Sequence, residues 1–398
     1  MRVLLLGVGL QGIATLHDLA NSKGVNEIIA ADIEIENVKK LVARKQYTNV
    51  SYEFLNANKQ ENIDQLMAQK PDVVIDLLPV TFMDKITKSA IDHGLNLVNT
   101  FYTSPYLRKN AEKVKEKGIT ILPEFGFDPG IDLVILGEAR KGLEDIELIN
   151  SYGAGIPEAI ACNNPLNYKV TWTFEGVLRS YFRKGILIKN GKIVEIEENK
   201  MFHPNNIHEV IIKGVGKLEA IPNGDAVKYL ELIGIKKGSK EYKMIKEMGR
   251  YSMRWPGHSS LWKTLVDLHF LDNEPIIINN NEINRRKFIS KIIEPHIQLQ
   301  PHERDLAIIR VELIGEKEGK RTRVIYDMVD KRDLKTGFTA MSRTVGFTAS
   351  IGAQLVGLGK ITKKGLLSPV NDIPFNILND ELKKRNIIIN SSTEILTS

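Results

Sequence analysis

The first twelve residues constrain the fold more than any other stretch. Val3-Leu4-Leu5-Leu6 is an unbroken apolar run that fits a strand buried on both faces, and Gly7, Gly9 and Gly12 follow in the spacing G-x-G-x-x-G. The next segment places Ile13, Leu16, Leu19 and Ala20 on one helical face. In a strand–loop–helix unit each glycine has a mechanical job. Gly7 allows the tight turn, Gly9 lets backbone approach a pyrophosphate, and Gly12 lets the helix pack closely on the sheet. Leu10 and Gln11 complete the loop, whose backbone N–H groups and helix dipole face the phosphates. A second apolar run, Ile28 to Ala31, ends in Asp32, about twenty residues after the last glycine. A carboxylate there can accept hydrogen bonds from the adenosine ribose. Asp32 could instead cap the next helix, but strand, glycines, helix and acid stand together in register. Dinucleotide binding is the expectation. Asp32 should repel a 2′-phosphate, so NAD is expected ahead of NADP, with NADP possible.

Residues 1–125 go on alternating strand and helix. A short alternating strand at Val50, Tyr52 and Phe54 and largely apolar runs at Val73 to Leu78, Leu95 to Val98 and Ile119 to Leu122 are separated by amphipathic segments. Six β units with short connections predict a doubly wound parallel sheet, the Rossmann arrangement, in an α/β chain. Ligands of such sheets lie at the carboxyl ends of the strands. That end carries Gly7 to Gly12, Asp32, Asn56, Leu78, Pro79, Thr100 to Tyr102 and Glu124 to Pro129. Asn56, Leu78 and Pro79 join the glycine loop as expected cofactor contacts.

Over residues 126–345 the rhythm changes. Ile186 to Val194 reads as a hairpin around Asn190-Gly191, a pair that readily takes the positive φ values of a type I′ turn. Strands are expected at 146–152, 210–212, 251–255, 307–314 and 321–328, and helices at 261–270 and 283–292. Bunched strands with fewer helices predict an α+β substrate and dimerisation domain on a largely antiparallel sheet. The small, apolar stretch from Thr339 to Gly359 predicts a buried helix. The segment 346–398 is expected to pack back on the first domain.

The 398 residues suit two domains, and a net charge of +6 spread among alternating Lys, Arg, Glu and Asp argues against nucleic acid as a partner. The single Cys162 excludes an internal disulfide framework and fits a reducing, cytoplasmic compartment. Val3 to Leu6 is too short for the apolar core of a signal peptide, and no run suffices to span a bilayer. No His/Cys/Asp/Glu cluster has metal-ligand spacing, and no G-x-S-x-G elbow is present.

Several further segments carry a resemblance. Glu124-Phe125-Gly126-Phe127-Asp128-Pro129-Gly130-Ile131-Asp132 resembles the G-L-D-P-G-I-D segment of the saccharopine reductase/dehydrogenase family. Leu77 to Phe82 is similar to its L-I-P-Y-T-F, and Tyr102-Thr103-Ser104-Pro105 to its S-Y-x-S-P. Asn164 to Trp172 is similar to N-P-L-G-Y-K-F-S-W, and Met253 to His258 to L-R-Y-x-G. The matches keep their order over roughly residues 1 to 260. The resemblance implies a homodimeric oxidoreductase acting on the CH–NH group of a small amino-acid substrate. Hydride leaves the carbon beside a secondary amine, and the imine is hydrolysed to glutamate and 2-aminoadipate 6-semialdehyde, or the reverse. It implies Asp128 as acid/base with Tyr102 as partner, Trp172 as a pocket wall and Arg254 for a substrate carboxylate, with His258 close by. Plainer roles stand beside these. Asp128 could start a turn, Tyr102 could be a packed edge residue, and Trp172 could be core. Arg254 could make a structural ion pair, and His258 could be a satisfied structural histidine.

The chain also departs from the pattern. Gly153 stands where S-Y-C-G-G-L-P has its thiol, and Glu175 where R-G-V-L has its arginine. Gly224 stands at the arginine of P-N-R-D-S, a residue suited to a carboxylate of the glutamate arm. Trp255-Pro256-Gly257-His258 is closer to lysine 6-dehydrogenase. Three readings follow: a saccharopine reductase/dehydrogenase, a lysine 6-dehydrogenase or polyamine-type amine dehydrogenase without a glutamate arm, and a non-catalytic NAD-binding protein.

Overall fold

The computed structural model describes residues 1–397. The chain forms two compact units, Met1–Glu138 with Ser342–Ile387, and Ala139–Met341 with the chain from Ile388 onward.

The first unit is built on strands β1 (Arg2–Leu6), β2 (Glu27–Asp32), β3 (Val50–Phe54), β4 (Val73–Asp76), β5 (Asn96–Asn99) and β6 (Thr120–Leu122), with the later β17 (Gly365–Leu366). Their order is β17-β6-β5-β4-β1-β2-β3, with every neighbouring pair parallel. A parallel sheet must be covered on both faces, and the helices Gly12–Ala20, Ile35–Lys45, Gln60–Met67 and Met83–His93 follow β1, β2, β3 and β4 in turn. The last two present apolar stripes, Ile63, Leu66 and Met67 on one and Ile86, Ala90 and Ile91 on the other, to the buried Leu4, Leu6, Ile29 and Val74. Fully burying one such side chain is worth about 1.5–3 kcal/mol.

The helix Ala340–Gly357, close to the expected 339–359, lies from Ser342 onward against Gly12–Ala20. Gly346 allows the approach, since a Cβ there would stand 2.7 Å from the Gln11 carbonyl oxygen, and Thr15 Oγ1 donates to the Gly346 carbonyl at 3.0 Å. Asp18 on the first helix holds Arg385 through two bonds of 2.7 and 2.8 Å and accepts from Ser350 at 2.6 Å.

The second unit contains β7 (Glu144–Pro157), β8 (Gly185–Lys189), β9 (Lys192–Ile196), β10 (His208–Ile212), β11 (Gly216–Pro222), β12 (Glu247–Arg254), β13 (Ile276–Ile278), β14 (Asn281–Ile283), β15 (Asp305–Lys317), β16 (Lys320–Lys331) and β18 (Ile389–Ile395). Nine of them form one sheet with the path β10-β11-β12-β7-β15-β16-β18, and the β8–β9 hairpin pairs with β12. Only the β12–β7 pair is parallel. Asn190 and Gly191 take φ of 50° and 71°, the positive values that a type I′ turn needs. Helices Phe174–Ser180, His258–Asp267 and Arg285–Ile293 contribute to a core with Tyr168, Phe174, Tyr181, Phe202 and Trp262.

The division differs from the expected one in two places. The first boundary falls after residue 138 instead of 125, because the helix Ile131–Ala139 packs within the first unit. Gly137 lies so close to Val370 that a Cβ would meet its carbonyl oxygen at 2.1 Å. The chain from Ile388 onward belongs to the second unit, where β18 pairs antiparallel with β16.

Candidate functional site

The glycine loop has the dimensions of a pyrophosphate cradle. Gly7 has φ of 91°, and a Cβ there would stand 2.9 Å from the Leu77 carbonyl group. A Cβ at Gly12 would stand 2.1 Å from the Gly7 carbonyl oxygen, so the turn closes only with glycine at both places. Gly9 is the contrast, with open space where its Cβ would be. The loop therefore offers bare backbone where a diphosphate would come. Ile13 N–H donates back to the Gly9 carbonyl at 3.1 Å, and Ser342 Oγ holds the Leu10 carbonyl at 2.6 Å. Sequence reasoning missed Ser342, which acts on the loop across more than three hundred residues. Gln11 Oε1 is buried with no hydrogen-bond partner.

Asp32 ends β2 beside this loop. Its Oδ2 accepts the Val8 N–H at 2.6 Å and its Oδ1 accepts the Glu34 N–H at 2.8 Å. The carboxylate is thus fixed against the glycine loop while keeping lone pairs for hydroxyl donors. Asn56 follows β3 and turns its own Oδ1 to the Asn58 N–H at 3.1 Å. Leu78 and Pro79 follow β4, where Asp76 Oδ1 accepts the Leu78 N–H at 3.1 Å.

Tyr102 and Asp128 stand on the loops after β5 and β6, and these loops are stapled together. Glu124 N–H donates to the Phe101 carbonyl and Phe125 N–H to that of Asn99, both at 2.9 Å. The buried Glu124 Oε1 takes both the N–H and the hydroxyl of Thr103 at 2.9 Å. Past Asp128, Gly130 folds onto Gly126 so tightly that a Cβ would meet the Gly126 nitrogen at 2.3 Å, and Asp132 Oδ1 takes the Gly130 N–H at 2.8 Å. The expected cofactor residues and the expected acid/base pair therefore share one end of one sheet. Tyr102 is exposed and Asp128 half-buried.

In the second unit Arg254 is the last residue of β12 and only 5% exposed. Its Nε donates to Tyr181 Oη at 2.9 Å and its Nη1 to the Met253 carbonyl at 2.8 Å. The rings of Tyr168 and Tyr181 lie 5.5 and 5.7 Å from the guanidinium carbon. No carboxylate among the described residues pairs with it. Tyr181 Oη in turn reaches His258 Nε2 at 2.7 Å, and His258 Nδ1 reaches the Leu166 carbonyl at 3.0 Å. A carbonyl can only accept, so Nδ1 carries the proton, Nε2 accepts from the tyrosine, and the tyrosine oxygen accepts from Arg254. Burial, and after it the Arg254 cation, hold the imidazole down to about 3, so it stays neutral. His258 is thus a buried relay behind Arg254 with both ring nitrogens engaged. Trp172 is half-buried beside Gly176, where a Cβ would stand 2.6 Å from the indole. Glu175 is exposed and pairs with Arg179 at 3.3 Å. Among the described residues no cluster of His, Cys, Asp and Glu could hold a metal ion, and no helix is long and apolar enough to cross a membrane.

A parallel sheet with this loop at its carboxyl end defines the class, a two-unit protein built to bind a nicotinamide dinucleotide. Residues 3–122 match the family model described as the saccharopine dehydrogenase NADP binding domain, and residues 126–388 the one described as the saccharopine dehydrogenase C-terminal domain. The chain belongs to the saccharopine dehydrogenase family. It is 26% identical to the saccharopine dehydrogenase [NADP(+), L-glutamate-forming] of Pyricularia oryzae, over 96% of each chain. It is 25% identical to the mitochondrial alpha-aminoadipic semialdehyde synthase of Mus musculus, over 99% of this chain and 48% of that one. It therefore spans about half the length of the mammalian relatives it matches. The solved apo saccharopine dehydrogenase (L-Glu forming) of Saccharomyces cerevisiae shares its fold, with a TM-score of 0.85 over 99% of both chains at 23% identity.

Proposed function

We propose that this protein oxidises saccharopine, breaking a CH–NH unit to release glutamate and 2-aminoadipate 6-semialdehyde, or runs the reverse condensation. The observation that carries the reading is Arg254. A buried guanidinium without a protein carboxylate is costly, by several kcal/mol, and an acidic substrate removes that cost when it binds. The names of the fungal relatives, glutamate-forming saccharopine dehydrogenases, point to the same substrate.

A nicotinamide dinucleotide held at the glycine loop would supply the acceptor for the hydride of the carbon beside the secondary amine. Gly7, Gly9, Leu10, Gln11 and Gly12 would hold its diphosphate, Asp32 the adenosine ribose, and Asn56, Leu78 and Pro79 the flanks. Asp128 takes the proton of the substrate amine and releases it to solvent, then takes one from the water that attacks the imine carbon and returns that one to the nitrogen, with Tyr102 orienting it. The C–N bond of the resulting carbinolamine then breaks, and the amine leaves as glutamate once it is protonated. Arg254 holds a substrate carboxylate, Trp172 bounds the pocket, and His258 serves through Tyr181 by orienting Arg254.

Asp32 supports NAD as the preferred cofactor, although the fungal relatives are named for NADP(+). Its carboxylate stands where a 2′-phosphate would need a cation, and Glu34 follows it. The reading also makes the protein a cytoplasmic homodimer, which light scattering and cell fractionation test.

The deciding experiment follows reduced-nicotinamide absorbance with NAD, offering saccharopine and then lysine. Saccharopine-dependent reduction is expected, falling by about two to four orders of magnitude in Asp128→Ala. Reduction with lysine alone would replace this reading with a lysine dehydrogenase.

A further inference from the structure

Tyr102 lies on the loop after β5 and is 43% exposed, so packing restrains only part of it. Its neighbours on both sides are held instead, and one residue holds them both. Glu124 N–H donates to the Phe101 carbonyl at 2.9 Å, and Glu124 Oε1 accepts the N–H and the hydroxyl of Thr103, each at 2.9 Å. One residue therefore closes on positions 101 and 103 with Tyr102 between them. Asn99 Oδ1 adds to this bracket by accepting the Phe101 N–H at 3.1 Å.

Glutamate is an unusual residue at this place. Glu124 is buried, and its φ of 56° lies in the left-handed region, which glycine and asparagine enter far more readily. A side chain persists in that region where its surroundings fix it, and such positions cluster at functional sites. Glycine would take the same turn without strain, but it would leave the Thr103 N–H and hydroxyl without this acceptor. Glu124 also stands four residues before Asp128. The chain between them is packed on the β5 loop: Phe125 N–H donates to the Asn99 carbonyl at 2.9 Å, and a Cβ at Gly126 would stand 3.0 Å from Thr100 Cβ. Residues 124–126 therefore tie the loop that carries Asp128 to the loop that carries Tyr102, and Glu124 does so on both sides of the tyrosine.

We infer that Glu124 is a positioning residue for the reaction, fixing the backbone on either side of Tyr102 and thereby the place of the Tyr102 hydroxyl relative to Asp128. The inference rests on the reading of Asp128 and Tyr102 as the groups that handle the protons of saccharopine oxidation. Glu124 acts through Tyr102 and needs no contact with substrate. A carboxylate suits the task because one of its oxygens has lone pairs for both Thr103 donors.

The test uses the full chain and follows saccharopine oxidation in Glu124→Gly, Glu124→Gln, Tyr102→Phe, and Glu124→Gly combined with Tyr102→Phe. Glu124→Gly keeps the turn accessible and removes only the acceptor for Thr103. Its kcat should fall roughly 10- to 100-fold, the scale of a displaced catalytic group. The KM for saccharopine and the Kd for NAD in calorimetry should stay within about threefold, because neither molecule loses a contact. Glu124→Gln keeps an oxygen toward Thr103 and should recover most of the loss. In the Tyr102→Phe background, Glu124→Gly should cost less than about threefold more, since the hydroxyl that it positions is already gone. Equal losses in the two backgrounds would show that Glu124 does not act through Tyr102 and would overturn the inference. Glu124→Gln as slow as Glu124→Gly would mark a role for the ionised group itself, and a Kd for NAD that rises with the fall in kcat would mark a general loosening; each overturns it too. Normal turnover in Glu124→Gly, while the unmodified protein oxidises saccharopine, overturns the role of Glu124 and leaves the function standing. Silence of the unmodified protein toward saccharopine removes both readings.

Discussion

Replacing Asp76 with Asn should flatten the pH dependence of stability. Asp76 ends β4 fully buried; its Oδ1 accepts the Leu78 N–H at 3.1 Å, and its Oδ2 is buried with no hydrogen-bond partner. Burial pushes the carboxyl up from 3.8 to about 7, with the Leu78 N–H pulling the other way. In the unfolded chain the group ionises near 3.8. Below that pH both states hold the neutral acid, and the fold loses nothing. As pH rises from about 4 to about 7, the unfolded chain releases its proton while the folded chain keeps it, so stability falls. Above about 7 both states are ionised and the loss levels off. Each pKa unit is worth about 1.36 kcal/mol, so the full loss is about 4 kcal/mol. The part that falls between about pH 5 and about pH 8 is about 2.5 kcal/mol. Asn keeps an oxygen for the Leu78 N–H and cannot ionise. Urea unfolding of both proteins at the two pH values reads the difference directly. Asp305, raised by its own burial to about 6, titrates alike in both proteins and drops out of the comparison. Identical pH dependence in the two proteins, to within about 0.5 kcal/mol, would mean that Asp76 ionises in the fold as it does in water, and the reasoning from burial would fail.

Three further variants probe the glycine loop of the first unit and the arginine relay of the second. Asp32→Gly combined with Ile33→Arg should shift the ratio of kcat/KM for NADP over NAD upward by about tenfold or more, because a guanidinium then faces the 2′-phosphate and the repelling carboxylate is gone; an unchanged ratio would exclude the ribose contact. Tyr181→Phe removes the oxygen that accepts from Arg254 and the proton that His258 accepts, so KM for saccharopine should rise about tenfold with kcat nearly constant; an unaltered KM would separate Arg254 from substrate. Gly9→Ala should leave the melting temperature near that of the parent while weakening dinucleotide binding in calorimetry, since a Cβ there meets open space. Unimpaired binding would show that the diphosphate lies elsewhere.

The first unit was legible because its signals are local. Buried parallel strands read as continuous apolar runs, each helix repeats its apolar face every third or fourth residue, and the glycine loop lies within twelve residues. The second unit resisted for the opposite reason. β11 (Gly216–Pro222) and β18 (Ile389–Ile395) read as nothing in particular, one for its mixed composition and the other as Ile-Asn-Ser-Ser-Thr-Glu-Ile. Their pairing with β12 and β16 supplies what their own residues lack. The β13–β14 hairpin turns on Asn279 and Asn280, both at positive φ, and an Asn-Asn pair is a weaker turn signal than Asn-Gly. Among site residues, Arg254 could be found from its segment. Tyr181 could not, because it lies 73 residues from Arg254 and 77 from His258 in the chain.

Glu219 shows why Arg254 should meet a ligand. It is the register partner of Arg254 across β11 and β12, the position from which a carboxylate most easily neutralises a cross-strand arginine. Its side chain goes elsewhere. Oε1 accepts the Gly257 N–H at 2.8 Å and Oε2 the Ser259 N–H at 2.9 Å, capping the helix His258–Asp267. An anion at a helix N-terminus is stabilised by the unpaired N–H groups and the dipole, so Glu219 is well satisfied where it is. That helix begins with His258, the residue that orients Tyr181 and through it Arg254. The nearest acid on the neighbouring strand therefore fixes the relay behind the guanidinium instead of neutralising it. Arg254 is held in one orientation by neutral partners and keeps its charge uncompensated, the condition under which a carboxylate brought by the substrate gains most from binding.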